Sequence, residues 1–170
     1  MILNVIAYPN AVLKQKAKPI LEINNRIKTL AKNMLETMYA KNGIGLAGNQ
    51  VNELLRIIVI DLQIEEAFNP IVLINPEIIW QSIELEERDE GCLSIIGISA
   101  TVKRPAQVKV AYLNLKGEKT EIAADGLLAT CLQHEIDHLD GILFIDRISK
   151  LKRDMLVKKY KKQIAEEENK

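Results

Sequence analysis

The sequence predicts an α+β fold, with short, mainly antiparallel strands packed around a central helix and further helices towards the N- and C-terminal ends. Three observations predict it. One amphipathic helical repeat comes first, a long series of short β-branched runs follows, and two helical segments close the chain. Nowhere do strands and helices alternate as a parallel βαβ array requires.

The elements follow in order. Ile27, Leu30, Ala31, Met34, Leu35 and Met38 recur at i, i+3, i+4, i+7, i+8 and i+11, one face of a helix over about Asn25–Lys41. Asn42-Gly43 stops it, because both residues tolerate a left-handed backbone. Arg56–Asp61 (RIIVID), Ile71–Asn75 (IVLIN) and Ile78–Trp80 read as strands, punctuated by Pro70 and Pro76. Further strands are expected at about Ser99–Lys103, Val108–Asn114 and Thr120–Ala124, the last two flanking a hairpin turn at Leu115-Lys116-Gly117-Glu118. A second helix runs from Asp125, a candidate N-cap, to Asp140, with Gly141 as its stop. A third spans about 149–164, with Leu151, Met155 and Leu156 on its apolar side. No repeat, low-complexity tract or Gly/Ser-rich linker intervenes, so residues 1–170 read as a single domain.

Composition narrows the function classes. The 170 residues are 48% hydrophobic and 27% charged, enough apolar material for one core. Lys+Arg and Asp+Glu both number 23, which argues against a general polyanion binder. No apolar run approaches the ~20 residues of a membrane span. Met1–Pro9 carries no basic region before an apolar stretch, so no secretory signal is read and a cytoplasmic location, away from membranes, is expected. Cys92 and Cys131 are too few for a disulfide framework, and neither is expected to have a disulfide partner. A monomer is the default. The two histidines of the chain, His134 and His138, lie four residues apart.

That spacing carries the chemistry. Gln133-His134-Glu135-Ile136-Asp137-His138 falls inside the second helix. Residues four apart sit one turn apart and only ~40° around the axis, so both imidazoles reach one metal ion. Glu135 lies beside the pair, placed to handle a proton on a water without being a ligand. Cys131 precedes His134 by three residues. Three donors strung along ~10.5 Å of one helix would surround an ion poorly, so Cys131 reads as a buried residue packing near the site. Cys92, in Glu90-Gly91-Cys92-Leu93-Ser94, arrives from another part of the chain and becomes the third ligand. One Cys and two His leave a fourth position open, the arrangement of a catalytic site. A Cys2His2 structural site is the competing count. Its cysteines would stand 39 apart instead of in a C-x2-4-C pair, and it would give Glu135 no task. A third segment, Gly43-Ile44-Gly45-Leu46-Ala47-Gly48-Asn49-Gln50, is no phosphate loop, since the pattern breaks at Asn49-Gln50. Its Gln50 could donate to a developing oxyanion.

GIGLAGNQ, EGCLS and QHEIDHLDG, in that order, resemble the three motifs of the peptide deformylases over nearly the whole chain. The resemblance implies an α+β metal-dependent hydrolase that removes the N-formyl group from the initiator methionine of nascent proteins, releasing formate. By position it implies Cys92, His134 and His138 as metal ligands and Glu135 as general acid/base. Gln50 and the Leu93 N–H would stabilise the oxyanion. Ile44, Leu127, Thr130 and Cys131 would line the methionine pocket, and an extended peptide would run near Ile44, Gly45 and Gly91, with Glu90 also on the substrate side. Ferrous iron is the common ion of the family, with zinc and nickel also found, and Cys1His2 plus water also suits cobalt.

Three positions depart from the family pattern: Gly48 stands in place of alanine, loosening the loop, Ile96 in place of proline, and Arg88 in place of an apolar or aromatic residue. The acidic run Glu84–Glu90 reads as a solvated strand or loop, with Glu90 its functional member. The basic C-terminal helix (KLKRDMLVKKYKK) reads as a solvated face, and the resemblance implies a ribosome contact there. Two other readings compete: a zincin-type endopeptidase, whose third ligand would be a later His or Glu, and the non-enzymatic Cys2His2 interaction domain.

Overall fold

A computed structural model describes all 170 residues. Helix α1 (Asn25–Ala40) starts where the Asn24 side chain accepts a hydrogen bond from the Ile27 N–H at 3.1 Å. Its apolar stripe is the predicted one, with Ile27, Leu30, Ala31, Met34 and Met38 buried. The chain then forms strand β1 (Gly45–Ala47), a 3₁₀ turn over Gly48–Val51, and strand β2 (Ile57–Ile60). Strands β3 (Ile71–Gln81), β4 (Leu85–Cys92), β5 (Ile95–Pro105), β6 (Val108–Leu113) and β7 (Lys119–Ala124) follow. Helix α2 (Gly126–Leu139) and helix α3 (Lys150–Glu168) complete the chain.

Every strand pairing is antiparallel. One sheet has five strands in the order β1-β2-β3-β6-β7, and β4 and β5 form a separate two-stranded ribbon. The period of two in β2 explains the packing. Ile58 and Ile60 point to one face, where Ala129, Cys131, Leu132, Ile136 and Leu139 of α2 cover them; Ile57 and Val59 point to the other, under α1. All four are fully buried because both faces are roofed, so the strand reads as an unbroken apolar run. A third cluster joins Ile95, Ile98 and Val102 of β5 to Phe144, Ile145 and Tyr160, fixing α3 against the ribbon.

Several expectations change. Ile71–Asn75 and Ile78–Trp80 are one strand that continues through Pro76. Asn75 takes a left-handed backbone (φ 51°) and the register with β6 shifts between Ile74 and Glu77, a bulge that accommodates the missing proline N–H. The acidic run, read as a solvated strand or loop, is strand β4, mostly exposed as expected. The Asp125 side chain makes no capping bond to α2. On α3, Leu151 and Met155 are exposed (72% and 64%), whereas Leu156 packs as expected and Val157, Tyr160 and Ile164 join it. Gly48 does not loosen its loop: a Cβ there would lie 2.5 Å from the Leu55 carbonyl oxygen and 2.6 Å from that of Glu53. No helix is long and apolar enough to cross a membrane.

Candidate metal centre

Three elements converge on one point. Helix α2 presents His134 and His138 on its buried side, their ring centroids 5.0 Å apart. The end of β4 brings Cys92, whose Sγ lies 3.3 Å from His138 Nε2. One donor atom from each residue falls within 4.8 Å of the others. The 3₁₀ turn after β1 adds Gln50. The Ala47 N–H donates to Gln50 Oε1 at 3.0 Å, which turns the amino end to Cys92 Sγ (3.4 Å) and Ser94 Oγ (3.1 Å).

The outer ring nitrogens differ. His134 Nδ1 lies 2.8 Å from Glu90 Oε1, so its Nε2 is the nitrogen free to bind. His138 Nδ1 is buried without a hydrogen-bond partner. Burial opposes protonation of His134, yet its hydrogen bonds with Cys92 and Glu90 prevail and raise its pKa well above the ordinary value. Burial lowers that of His138, helped by repulsion from His134 and Arg104. Glu135 is pushed up to about 7, chiefly by burial, with Glu90 and Asp137 adding to it and His134 and Arg104 opposing. One of its oxygens, Oε1, is buried and unpartnered, a group built to meet something the protein alone does not supply.

These groups open on a cavity of about 510 Å³. Cys92, His134, Glu135, Gln50 and Leu93 border it, and His138 stands behind them, 1% exposed. The residues expected on the substrate side, Ile44, Gly45, Glu90, Gly91, Leu127, Thr130 and Cys131, border the same cavity. Cys131 is also part of the core, its thiol pushed up to about 12 by burial and by Glu135 and Glu90. The carboxylate of Glu90 is occupied by His134 and Arg104. Ile96 is two-thirds exposed at the cavity rim, and Arg88 pairs with Glu86 at 2.7 Å. Reading the sequence missed Arg104 and gave Asp137 no role. A carboxylate at that position on the packed side of a helix was the available signal, because a buried charge requires a partner.

The polypeptide deformylase family model matches residues 2–154. The chain belongs to that family. Among curated deformylases, the peptide deformylase of Mesorhizobium japonicum is 53% identical over 159 residues, 93% of this chain and 90% of that one. The peptide deformylase of Bartonella henselae is 49% identical over 163 residues, 95% of this chain and 93% of its own. Among solved deformylases, a peptide deformylase from Legionella pneumophila superposes with a TM-score of 0.93 at 40% identity, over 100% of this chain and 99% of that one. One from Synechococcus elongatus, in complex with actinonin, gives 0.88 at 43% identity, over 92% of this chain and 86% of that one.

Proposed function

We propose that this chain hydrolyses the N-formyl group of N-terminal formyl-methionine on nascent peptides, releasing formate and a free amine. The observation that carries the reading is the joining of a Cys92–His134–His138 donor set to Glu135 and Gln50 on one cavity, in a deformylase chain. A soft thiolate, two imidazoles and buried, closely spaced donor atoms fit a divalent transition ion. We assign ferrous iron in the cell; zinc, nickel and cobalt suit the same donors. When bound, such an ion polarises a carbonyl and acidifies a water.

The side chains supply the rest. Glu135 takes the proton from the water as its oxygen attacks the formyl carbon. The Gln50 amino group and the Leu93 N–H donate to the carbonyl oxygen as negative charge builds on it. Glu135 then returns the proton to the leaving nitrogen, the C–N bond breaks, and formate departs. Strand β1 pairs only with β2 and β4 only with β5, so each has an edge free towards the cavity. An extended peptide lies between these edges, its backbone pairing near Ile44, Gly45 and Gly91. Leu127, Thr130 and Cys131 receive its methionine side chain.

The test is product analysis with formyl-Met-Ala-Ser and with an unformylated peptide of similar length. Stoichiometric formate from the first and no internal cleavage of the second is expected. Cleavage within the unformylated peptide would move the assignment to an endopeptidase.

A further inference from the structure

His134 is braced from behind by a chain of charges that ends at the surface. Arg104 grips both Glu90 oxygens, with Nε to Oε2 at 2.7 Å and Nη2 to Oε1 at 2.9 Å, and its Nη1 donates to Asp137 Oδ2 at 2.8 Å. Arg147 then takes Asp137 with a two-pronged fork, Nη2 to Oδ1 at 2.7 Å and Nε to Oδ2 at 3.0 Å. Glu90, Arg104 and Asp137 are each at least nine-tenths buried, whereas 44% of the Arg147 side chain is exposed. Arg147 does not border the substrate cavity. It opens on a separate polar groove beside Lys103, Ser149 and Lys152.

The charge balance of this chain depends on its outermost member. Two buried carboxylates face two guanidinium groups only while Arg147 is present. Without it, and with His134 neutral as a metal ligand must be, Arg104 alone would serve both acids, and an uncompensated negative charge would remain in a dry interior, where such charges are costly. Asp137 would then compete with Glu90 for Arg104. With Arg147 on Asp137, Arg104 is free to fix both Glu90 oxygens, and Glu90 in turn holds His134 Nδ1 and aims its Nε2 at the Cys92 side.

We infer that Arg147 is a positioning residue for the metal centre, setting the orientation of His134 from the protein surface through Asp137, Arg104 and Glu90. The inference rests on the metal-site reading given under the proposed function. Partners that orient a ligand in this way typically govern metal retention 10- to 100-fold.

Arg147→Met keeps the apolar stem and removes the fork, and Arg147→Lys returns the charge without the two-pronged geometry. Each is loaded with Co(II), the visible absorption is recorded, and the rate of cobalt loss to excess chelator is followed. Arg147→Met should lose cobalt roughly 10- to 100-fold faster than wild type, with a shifted visible spectrum and a KM for formyl-Met-Ala within about twofold. Arg147→Lys should recover part of the retention. Melting of the metal-free proteins separates positioning from general loosening. The inference is overturned if Arg147→Met matches wild type in spectrum and release. It is equally overturned if faster release comes with an unchanged spectrum and a matching fall in metal-free stability. Failure of the wild type itself to hold cobalt would remove the metal-site reading as well.

Discussion

Glu135 reaches the cavity past one backbone position, Gly45. A Cβ at Gly45 would sit 2.7 Å from Glu135 Oε2 and 3.0 Å from its Cγ and Cδ, so the strand and the carboxylate share a space that only glycine leaves open. Gly45→Ala should therefore displace the Glu135 carboxylate, proposed above to move the proton, while leaving Cys92, His134 and His138 intact. Steady-state kinetics should show kcat reduced roughly 10²-fold, since displacements near 1 Å carry penalties of that order, with bound metal unchanged. Unaltered kcat would mean that the Gly45 strand does not position Glu135. Cys131 illustrates the opposite fate of a reactive residue type. It sits on the buried face of α2, and burial together with Glu135 and Glu90 pushes its thiol up to about 12, so it packs as a small apolar residue although it borders the same cavity as Cys92.

At the scale of elements, the junction of the N-terminal segment, the 3₁₀ turn over Phe144–Arg147 and α3 is held by Asp146. Its carboxylate pairs with Lys14, accepts from the Leu143 N–H at 2.9 Å and faces Arg153 at 3.3 Å. Burial alone would raise its pKa, but these partners outweigh it and hold it below the ordinary 3.8. A depressed folded-state pKa contributes stability that is present above the unfolded value, near pH 4, and is lost as the pH falls through the folded value. Thermal melts between pH 7 and pH 3 should show wild type losing stability at the acid end and Asp146→Asn losing less over that interval. Parallel curves would contradict this role. Helix α1, β2 and the metal-binding helix were legible because their patterns are local: a 3.6-residue repeat, an apolar run, two histidines four apart. Strand β3 was not, because whether Pro76 ends a strand or sits in a bulge depends on β6 beside it. For β4 the sequence left strand and loop open, because the residues that pair its acidic outer face, such as Lys103, lie across the ribbon. The register of α3 was hidden because exposed Leu151 and Met155 compete with Leu156, Val157, Tyr160 and Ile164 as its apolar side, and Tyr8, Ile95 and Ile98 decide which residues it buries. Arg104 lies 33 residues from Asp137 in sequence, so their pairing exists only in the fold.

Across the whole molecule, two helices roof opposite faces of the five-stranded sheet, and the ribbon carries Cys92 to the buried side of α2. The cavity is thereby bordered by β1 and the end of β4, and the outer face of α3 lies apart from it. Lys158, Lys159, Lys161 and Lys162 are all exposed there, next to exposed Met155 and Leu151. We propose that this face contacts the ribosome, a reading that rests on its basic charge and on the family resemblance. Removing α3 would open the third core cluster, so charge reversal is the sounder test. Lys158→Glu, Lys159→Glu and Lys162→Glu combined should abolish co-sedimentation with ribosomes in low salt, and added salt should weaken the wild-type association. Undiminished co-sedimentation of the triple variant would contradict the assignment.

The central claim is that Glu135 moves the proton at a metal site built from Cys92, His134 and His138. The most direct measurement is formate release from formyl-Met-Ala by anaerobically purified wild type and Glu135→Ala, with bound metal quantified in both. Equal metal content is expected, with a rate at least about 10²-fold lower in the variant, the lower end for loss of a general acid–base group. Equal rates at equal metal content would contradict that claim.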